Sequence, residues 1–200
     1  MAEIILDKVS KTYNGREVLK DVSFTLDNGM YSLRGENGCG KTTLLNMMAN
    51  YLSPDKGAIK TNGSLFYVFQ DETFFSNLSL TDNLVLFLNA HQNNSGNTDE
   101  RIHEALKYLN IDHLADQMIS SLSGGERQKA ELAKLYLYDP DIILMDEPTA
   151  RLDNSAKKEI SDIVVDLCKD KLLVIVSHDH ELFTNFTQLR INDGGLEYAQ

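Results

Sequence analysis

Residues 35–43 read GENGCGKTT, in which Gly35 and Gly40 are followed directly by a lysine and a threonine. This is the spacing G-x-x-x-x-G-K-[ST] of a phosphate-binding loop. Glycines let the backbone turn tightly enough for N–H groups to converge on an anion, and a helix N-terminus adds partial positive charge. Lys41 would reach the β and γ phosphates, and the hydroxyl of Thr42 would ligate Mg²⁺.

The residues on either side supply the elements that such a loop needs. Residues 30–33 form a short, mostly apolar run that predicts a strand. After the loop, Leu44, Leu45, Met48 and Leu52 fall on one helical face. The sequence therefore predicts strand, phosphate loop and helix in that order; a glycine-rich turn with a stray lysine is the alternative.

Two adjacent carboxylates, Asp146 and Glu147, end the apolar run at residues 142–145. The carboxyl end of a buried strand is where open α/β sheets place their ligands. Asp146 is predicted to hold Mg²⁺ directly or through water, and Glu147 to orient or deprotonate an attacking water. The alternative is an acidic loop at a strand end.

Ser123 and Glu126 have the spacing of a capping box, which predicts a helix that runs to about residue 137. Its first turn carries Gly124 and Gly125, each of which costs about 1 kcal/mol of helix stability relative to alanine. That cost indicates close approach of a ligand to the exposed N–H groups. An anion is the natural candidate, since a helix N-terminus attracts negative charge.

The remaining sequence indicates an α/β fold with a helical insertion. Residues 3–26 alternate as strands about a turn at residues 14–15, and two further strands are predicted at 58–60 and 65–70. These patterns favour an antiparallel β lobe at the N-terminus. Residues 71–137 are predicted to form a helical subdomain.

Within this insertion, apolar residues repeat at helical spacing in residues 102–109 and again in residues 111–118. The dense apolar run at residues 84–88 is either core of the subdomain or part of a groove that receives a partner.

After the insertion, strands are predicted at residues 142–145 and 172–176, with a helix between them. A last short helix and a hairpin about residues 192–195 complete the chain. Apolar strands linked by helices predict a mainly parallel sheet. Residues 1–70 and 138–200 would then form one nucleotide-binding core within a single domain.

The composition and charge limit the classes of function that this chain can have. A chain of 200 residues with 42% hydrophobic content can bury one sizeable core, and a formal charge of −11 argues against general nucleic-acid binding. No apolar run is long enough to span a membrane and the N-terminus does not read as a signal peptide, so a cytoplasmic location is expected. Cys39 and Cys168 have neither a disulfide framework nor metal-ligand spacing.

The phosphate loop, the stretch LSGGERQ at residues 122–128 and the strand ending in Asp146 and Glu147 together resemble the ATP-binding cassette (ABC) ATPase domain. The resemblance covers residues 3–197. It implies a P-loop NTPase core that hydrolyses ATP to ADP and phosphate with Mg²⁺.

The resemblance also assigns roles that spacing alone does not. Tyr13 would stack on adenine, with an ordinary strand tyrosine as the alternative. Gln70 would sense Mg²⁺ and the attacking water, and His178 would contact the γ-phosphate. Arg151 departs from the residue usual in the loop that crosses the dimer interface. The nucleotide contacts implied are Asn37, Gly38, Cys39, Gly40, Lys41, Thr42, Thr43, Ser123, Gly124 and Gly125, and the metal contacts are Thr42, Gln70 and Asp146.

Cys39 lies inside the loop between two glycines. It is either a small residue that fits there or a thiol made acidic by nearby N–H dipoles and Lys41.

The chain carries one phosphate loop and one LSGGERQ helix. In the family that it resembles, this helix of one copy closes over the ATP of the other, so a homodimer or a pair of ATPase subunits is expected. The resemblance implies an ATPase subunit, peripheral at the inner face of the cell membrane, that drives transport by separate integral membrane permease subunits.

A chain that ends at Gln200 would leave no room for the added regulatory domain that many importers of this family carry, so export, or an antimicrobial-peptide or lipid-type system, is expected. A soluble ABC ATPase without a membrane partner and a module that holds nucleotide without turning it over are the alternatives. The sequence does not indicate the transported substrate.

Overall fold

The computed structural model describes residues 2–13, 15–71, 73–91, 96–179 and 181–199. The strands are β1 (Glu3–Tyr13), β2 (Arg16–Asp27), β3 (Gly29–Arg34), β4 (Lys56–Asn62), β5 (Leu65–Val68), β6 (Ile142–Asp146), β7 (Leu172–Val176), β8 (Thr187–Asn192) and β9 (Gly195–Tyr198). The α-helices are α1 (Lys41–Met48), α2 (Leu80–Ala90), α3 (Thr98–Tyr108), α4 (Gly124–Tyr138) and α5 (Asn154–Cys168).

The chain divides into two compact units. The first consists of Met1–Gln70, Pro140–Ala150 and Cys168–Gln200, and the second of Asp71–Asp139 and Arg151–Leu167. The predicted helical subdomain, residues 71–137, falls inside the second unit, which also takes in most of α5. The predicted limits of that subdomain stay a prediction.

The first unit contains two sheets. One is antiparallel with the strand order β2-β1-β4, and the other has six strands in the order β5-β6-β7-β3-β8-β9. All neighbouring strands of the larger sheet are parallel except β8 and β9, which form the predicted C-terminal hairpin. The expected α/β fold, with a mainly parallel sheet and an antiparallel β lobe, is confirmed. Asn14 in the first predicted turn lies outside the described residues.

The core of the first unit lies between the β lobe, α1 and one face of the larger sheet. Leu44, Leu45, Met47 and Met48 of α1 are buried there against alternate residues of the strands. Strands β6 and β7 consist of buried residues throughout, as expected for central strands of a parallel sheet. This packing fixes the direction in which α1 leaves the phosphate loop.

The second unit is helical. Ser79 caps α2 by accepting a hydrogen bond from Asp82 N–H, and Leu84 and Leu88 of that helix are fully buried. Leu86, between them, is exposed. The apolar run at residues 84–88 therefore contributes two of its residues to the core of this unit.

The prediction of an α-helix at residues 111–118 is wrong. This part of the chain contains one 3₁₀ turn, Asp112–Leu114, and a second, Ile119–Ser121, follows it. Asn110 adopts a left-handed backbone that ends α3. The N–H groups of Leu114, Ala115 and Gln117 donate to carbonyls three residues earlier, which is the 3₁₀ and not the α-helical pattern. The carbonyls of Ala115 and Gln117 accept hydrogen bonds from Thr81 and Leu80 at the start of α2, which holds the segment in this conformation.

The last short helix predicted before the C-terminal hairpin is also absent from the described residues, where 181–185 form consecutive turns. Phe183 and Phe186 are both buried there, with ring centroids 5.2 Å apart. Their spacing therefore reflects burial in turns rather than a helical face.

Candidate nucleotide-binding site

The phosphate loop connects β3 to α1 as the sequence predicts. Gly40 is the N-cap residue of α1, with a φ of 111° that L side chains rarely adopt. The carbonyl of Gly40 accepts the first helical hydrogen bond, from Leu44 N–H at 2.8 Å. No side chain caps this helix, and its first turn carries no acidic residue. The N–H groups and positive end of α1 therefore remain available to an anion.

Lys41 is folded back over the loop. Its ammonium group donates hydrogen bonds to the carbonyls of Gly35 at 2.9 Å and Glu36 at 3.0 Å. The side chain thus crosses the space that the loop encloses, where it can exchange carbonyl oxygens for phosphate oxygens.

A cleft of about 560 Å³ opens beside the loop, a volume within the usual range for small-ligand sites. It is lined by the predicted site residues of the first unit with the exception of Cys39. They are Tyr13, Asn37, Gly38, Gly40, Lys41, Thr42, Thr43, Gln70, Asp146, Glu147 and His178. Residues from five separate places in the sequence therefore meet around one cavity.

Asp146 is buried at the end of β6. The hydroxyl of Thr42, in the first turn of α1, hydrogen-bonds its carboxylate, as does the hydroxyl of Tyr67 on β5. Burial raises the pKa of Asp146 above its ordinary value, while the hydrogen bond from Thr42 and the charge of Lys41 act in the opposite direction. A carboxylate and a hydroxyl are thereby held together at the mouth of the phosphate loop.

Glu147 follows with a left-handed backbone, at a φ of 52°. Its Oε2 accepts a hydrogen bond from the backbone N–H of His178 at 3.2 Å, and its Oε1 lies 3.3 Å from Nε2 of the same histidine. Burial raises the pKa of Glu147, and the hydrogen bond from the His178 N–H opposes the rise. A backbone held in this sparsely populated region at the end of a strand is typical of functional sites.

Cys39 does not line this cleft. Its side chain packs against the hydrophobic core and borders a separate cavity of about 460 Å³ on the other side of the loop. The interpretation as a small residue that fits the loop agrees with this placement.

The other predicted phosphate contacts, Ser123, Gly124 and Gly125, begin α4 in the second unit. The predicted capping box is present: Ser123 N–H donates to Glu126 Oε2 at 2.7 Å, and Glu126 N–H donates to the Ser123 hydroxyl. A Cβ added at Gly124 or Gly125 would approach its nearest neighbours only to 3.5 or 3.4 Å. Packing within this unit therefore does not require glycine at either position.

The loop after Glu147 runs into the second unit and caps α5 there. Asp153 accepts hydrogen bonds from the N–H groups of Ser155 and Ala156, both at 2.9 Å. Arg151, the residue that departs from the family pattern, forms an exposed ion pair with Asp71 at 2.9 Å.

Several residues of the site were not predicted. Arg16, Val18, Ala150 and Val176 also line the cleft, and Tyr67 contacts Asp146. The pairing of β1 with β2 places Arg16 opposite Tyr13, as expected for the two residues that flank the turn predicted at residues 14–15. No sequence signal places this end of the hairpin beside the phosphate loop.

The site combines an uncapped helix start after a glycine-rich loop, a lysine folded over that loop and two carboxylates beside it. Together these features define a phosphate-loop nucleotide-binding domain of the α/β class. Residues 19–150 match the family model described as ABC transporter. The chain belongs to this family of ABC transporter ATP-binding proteins, whose members hydrolyse ATP.

Among its relatives is the taurine import ATP-binding protein TauB of Pelagibacter ubique, 34% identical over 88% of this chain and 71% of that protein. The sulfate/thiosulfate import ATP-binding protein CysA of Pseudomonas syringae is 34% identical over 86% of this chain and 59% of its own length. A solved metal-chelate-type ABC transporter in an inward-facing conformation superposes with a TM-score of 0.85 at 25% identity, covering 100% of this chain and 83% of the other.

These relatives bear on the predicted direction of transport. Both named proteins are import proteins, so the prediction of export is not supported. Within the ranges that the structure describes, no helix combines the length and the apolar character needed to cross a bilayer.

Proposed function

We propose that this chain binds ATP with Mg²⁺ in the cleft beside the phosphate loop and hydrolyses it. The observation that carries the proposal is the convergence on one cavity of Lys41 and Thr42, from the start of α1, with Asp146 and Glu147, from the end of β6. The first pair comes from a helix end that attracts phosphate, and the second from a strand end where a carboxylate can act on water.

The residues around Thr42 fit a magnesium ion that arrives with the nucleotide. Across the described residues, no group of three or more His, Cys, Asp or Glu side chains is arranged to hold a metal ion by itself. Mg²⁺ in nucleotide sites usually takes only one or two protein ligands and completes its shell with phosphate and water. Thr42 and Asp146 would hold the ion, with Gln70 close by, and the ion would neutralise charge on the phosphates.

Glu147 would act on the attacking water. Its carboxylate is positioned by the backbone N–H of His178 and lies at the wall of the cleft. Because burial raises its pKa, the Glu147 carboxylate is a stronger base than that of an exposed glutamate. His178 would contact the γ-phosphate, and Tyr13, which also lines the cleft, would stack on adenine.

The complete site would require two ATPase chains, either two copies of this one or a related pair. Ser123, Gly124 and Gly125 present a capped helix start whose glycines are not explained by packing in their own unit. A second copy supplying this helix end to the γ-phosphate would explain them, because the glycines let a phosphate approach the N–H groups closely. ATP would then favour the paired state, and hydrolysis would release it.

We further propose that the paired chains sit at the inner face of the cell membrane and drive a separate membrane permease. The relatives TauB and CysA, which are named as import ATP-binding proteins, support this placement.

The test compares ATP turnover by the wild type with that of two variants and a control. Lys41→Ala should lose ATP binding and turnover, and Glu147→Gln should keep binding but lose turnover. Lys60→Ala, which removes an exposed lysine of β4, should behave as wild type. Wild-type turnover in Lys41→Ala or Glu147→Gln would refute the assigned chemistry.

Two further measurements address the assembly. Glu147→Gln with ATP should double in mass by light scattering, and a monomer under these conditions would refute the paired site. Affinity purification from the native host should recover an integral membrane protein in stoichiometric amount. Recovery of the ATPase pair alone would refute the transport role while leaving the ATPase chemistry intact.

A further inference from the structure

A buried hydroxyl lies behind the catalytic residues. Thr149, in the turn after β6, is fully buried. Its hydroxyl donates a hydrogen bond to Asp179 Oδ2 at 2.6 Å and lies 3.5 Å from the hydroxyl of Ser177. None of the roles described above for ATP, magnesium or water uses Thr149 or Asp179.

These contacts join the two loops that carry the proposed base and its histidine. Glu147 and Thr149 follow β6, and Ser177, His178 and Asp179 follow β7, its parallel neighbour. The loops are also joined through the backbone, since Glu147 N–H donates to Val176 O at 2.9 Å. Parallel strands end at the same edge of a sheet, which is why two loops remote in sequence meet here.

The contacts fix the backbone on both sides of His178. On one side, the Ser177 hydroxyl accepts from the Asp179 N–H at 3.0 Å and is itself buried. On the other, the Asp179 carboxylate is held by Thr149. The His178 side chain between them is 59% exposed, so side-chain packing does little to orient it. Its position opposite Glu147 depends on where the backbone is held.

We propose that Thr149, acting through Asp179, is a positioning residue that sets the imidazole of His178 against the carboxylate of Glu147. This rests on the proposed function of Glu147 and His178. Thr149 does not touch substrate; it holds the loop at a distance from the reacting atoms. A displacement of about 1 Å in a catalytic group can cost about 100-fold in rate, so a single buried hydrogen bond at this place can matter for turnover.

The experiment compares variants of the full chain. Thr149→Val removes the hydroxyl at nearly constant volume, Thr149→Ser keeps it, and Asp179→Asn removes the charge of its partner. Ser161→Ala removes another buried hydroxyl, on α5, and is the matched control. The readouts are kcat and KM for ATP, the melting temperature, and the imidazole NMR signals of His178, assigned with a His178→Asn variant.

Thr149→Val should lower kcat about 10-fold or more, leave KM for ATP within about 2-fold, and shift the His178 signals. Thr149→Ser should keep both the rate and the signals, and Ser161→Ala should leave the signals in place even if it lowers the melting temperature. If Thr149 acts through Asp179, the double variant Thr149→Val/Asp179→Asn should lose no more than the worse single variant.

Unchanged His178 signals in Thr149→Val would overturn the proposal, and so would rate losses that multiply in the double variant. The NMR readout needs no turnover, so it tests the positioning role even if Glu147→Gln proves active. If Glu147→Gln is inactive while Thr149→Val turns over normally, the positioning role fails and the proposed function stands.

Discussion

Two ion pairs that involve α4 differ in their exposure to water, and this difference predicts losses of stability of very different size on mutation. Glu131 and Lys134 lie 3.1 Å apart with side chains only 7% and 5% exposed. Lys129 and Glu159 lie closer, at 2.7 Å, but the carboxylate is 52% exposed. Burial, not distance, should decide the energetic consequence, because water replaces a lost partner only at the exposed pair.

The perturbation is Glu131→Gln, which removes the charge and keeps the shape. In this variant the ammonium group of Lys134 would still donate a hydrogen bond to the Thr73 hydroxyl, at 2.8 Å. It would also still lie over the ring of Phe74, 3.5 Å from the ring centroid. Neither carries a negative charge, so an ammonium group would be left buried without its counter-ion. Breaking one partner of a buried pair costs about 3–5 kcal/mol.

The matched change at the surface pair is Lys129→Met, for which about 1 kcal/mol or less is expected. For a chain of this size each kcal/mol shifts the melting temperature by about 2–4 °C. Glu131→Gln should therefore melt about 6–20 °C below the wild type and Lys129→Met within about 4 °C of it. Differential scanning calorimetry at pH 7.5 measures both, and it also shows whether the two units melt separately.

A pH series adds an independent check. Burial lowers the pKa of Lys134, and the nearby Glu131 opposes that shift. Removing Glu131 should lower the pKa of Lys134 in the folded chain further below its ordinary value of about 10.4, which applies to the unfolded chain. At pH values between the folded and the unfolded pKa, the unfolded chain therefore binds more protons than the folded chain. The stability of Glu131→Gln relative to wild type should consequently rise as the pH is raised towards 10. A Glu131→Gln protein as stable as Lys129→Met, or a deficit that does not shrink with rising pH, would refute the reasoning.

Three other predictions concern the first unit. Gly57→Ala should destabilise the β lobe by at least about 1–3 kcal/mol, because Gly57 has a φ of 79° and an added Cβ would collide with the backbone of Asp7 and Lys8. A variant that melts at the wild-type temperature would contradict this. Tyr13→Ala should weaken ATP binding by about 0.5–1.5 kcal/mol, or about 2–12-fold, while Tyr13→Phe keeps it; equal affinities by nucleotide titration would remove the stacking role. Glu147→Gln should raise the melting temperature at neutral pH, because burial raises the pKa of Glu147 and the charged carboxylate therefore destabilises the folded chain. This gain should fade as the pH drops towards about 4.3, the ordinary pKa of a glutamate. A gain that does not depend on pH would contradict this reasoning.

The parts of the site that sequence reasoning predicted are those whose chemistry lies within a few neighbouring residues. The spacing of Gly35, Gly40 and Lys41 specifies a strand–loop–helix turn, and Ser123 with Glu126 specifies a helix start, because these contacts join residues at most six positions apart. Both are present in the structure.

The same reasoning failed where backbone groups had distant partners. Residues 111–118 carry a helical apolar period, yet carbonyls of this segment bond to the start of α2, and the period describes burial in 3₁₀ turns instead. The packing of the Cys39 side chain against the core is likewise not indicated by the loop sequence, and its predicted contact with nucleotide stays a prediction. Periodicity reports which residues are buried, and it cannot tell which element buries them.

The sequence by itself determined a phosphate-binding loop, a paired carboxylate at a strand end and a capped glycine-rich helix start. Tertiary structure decided that β6 and β7 are neighbours, so that Thr149 reaches Asp179 and Glu147 reaches His178. It also decided that the end of the β1–β2 pair, which carries Tyr13 and Arg16, lies at the cleft beside the phosphate loop. Short-range geometry follows from residue type and spacing, whereas the order and register of strands depend on the packing of the whole core, which no local stretch of sequence contains.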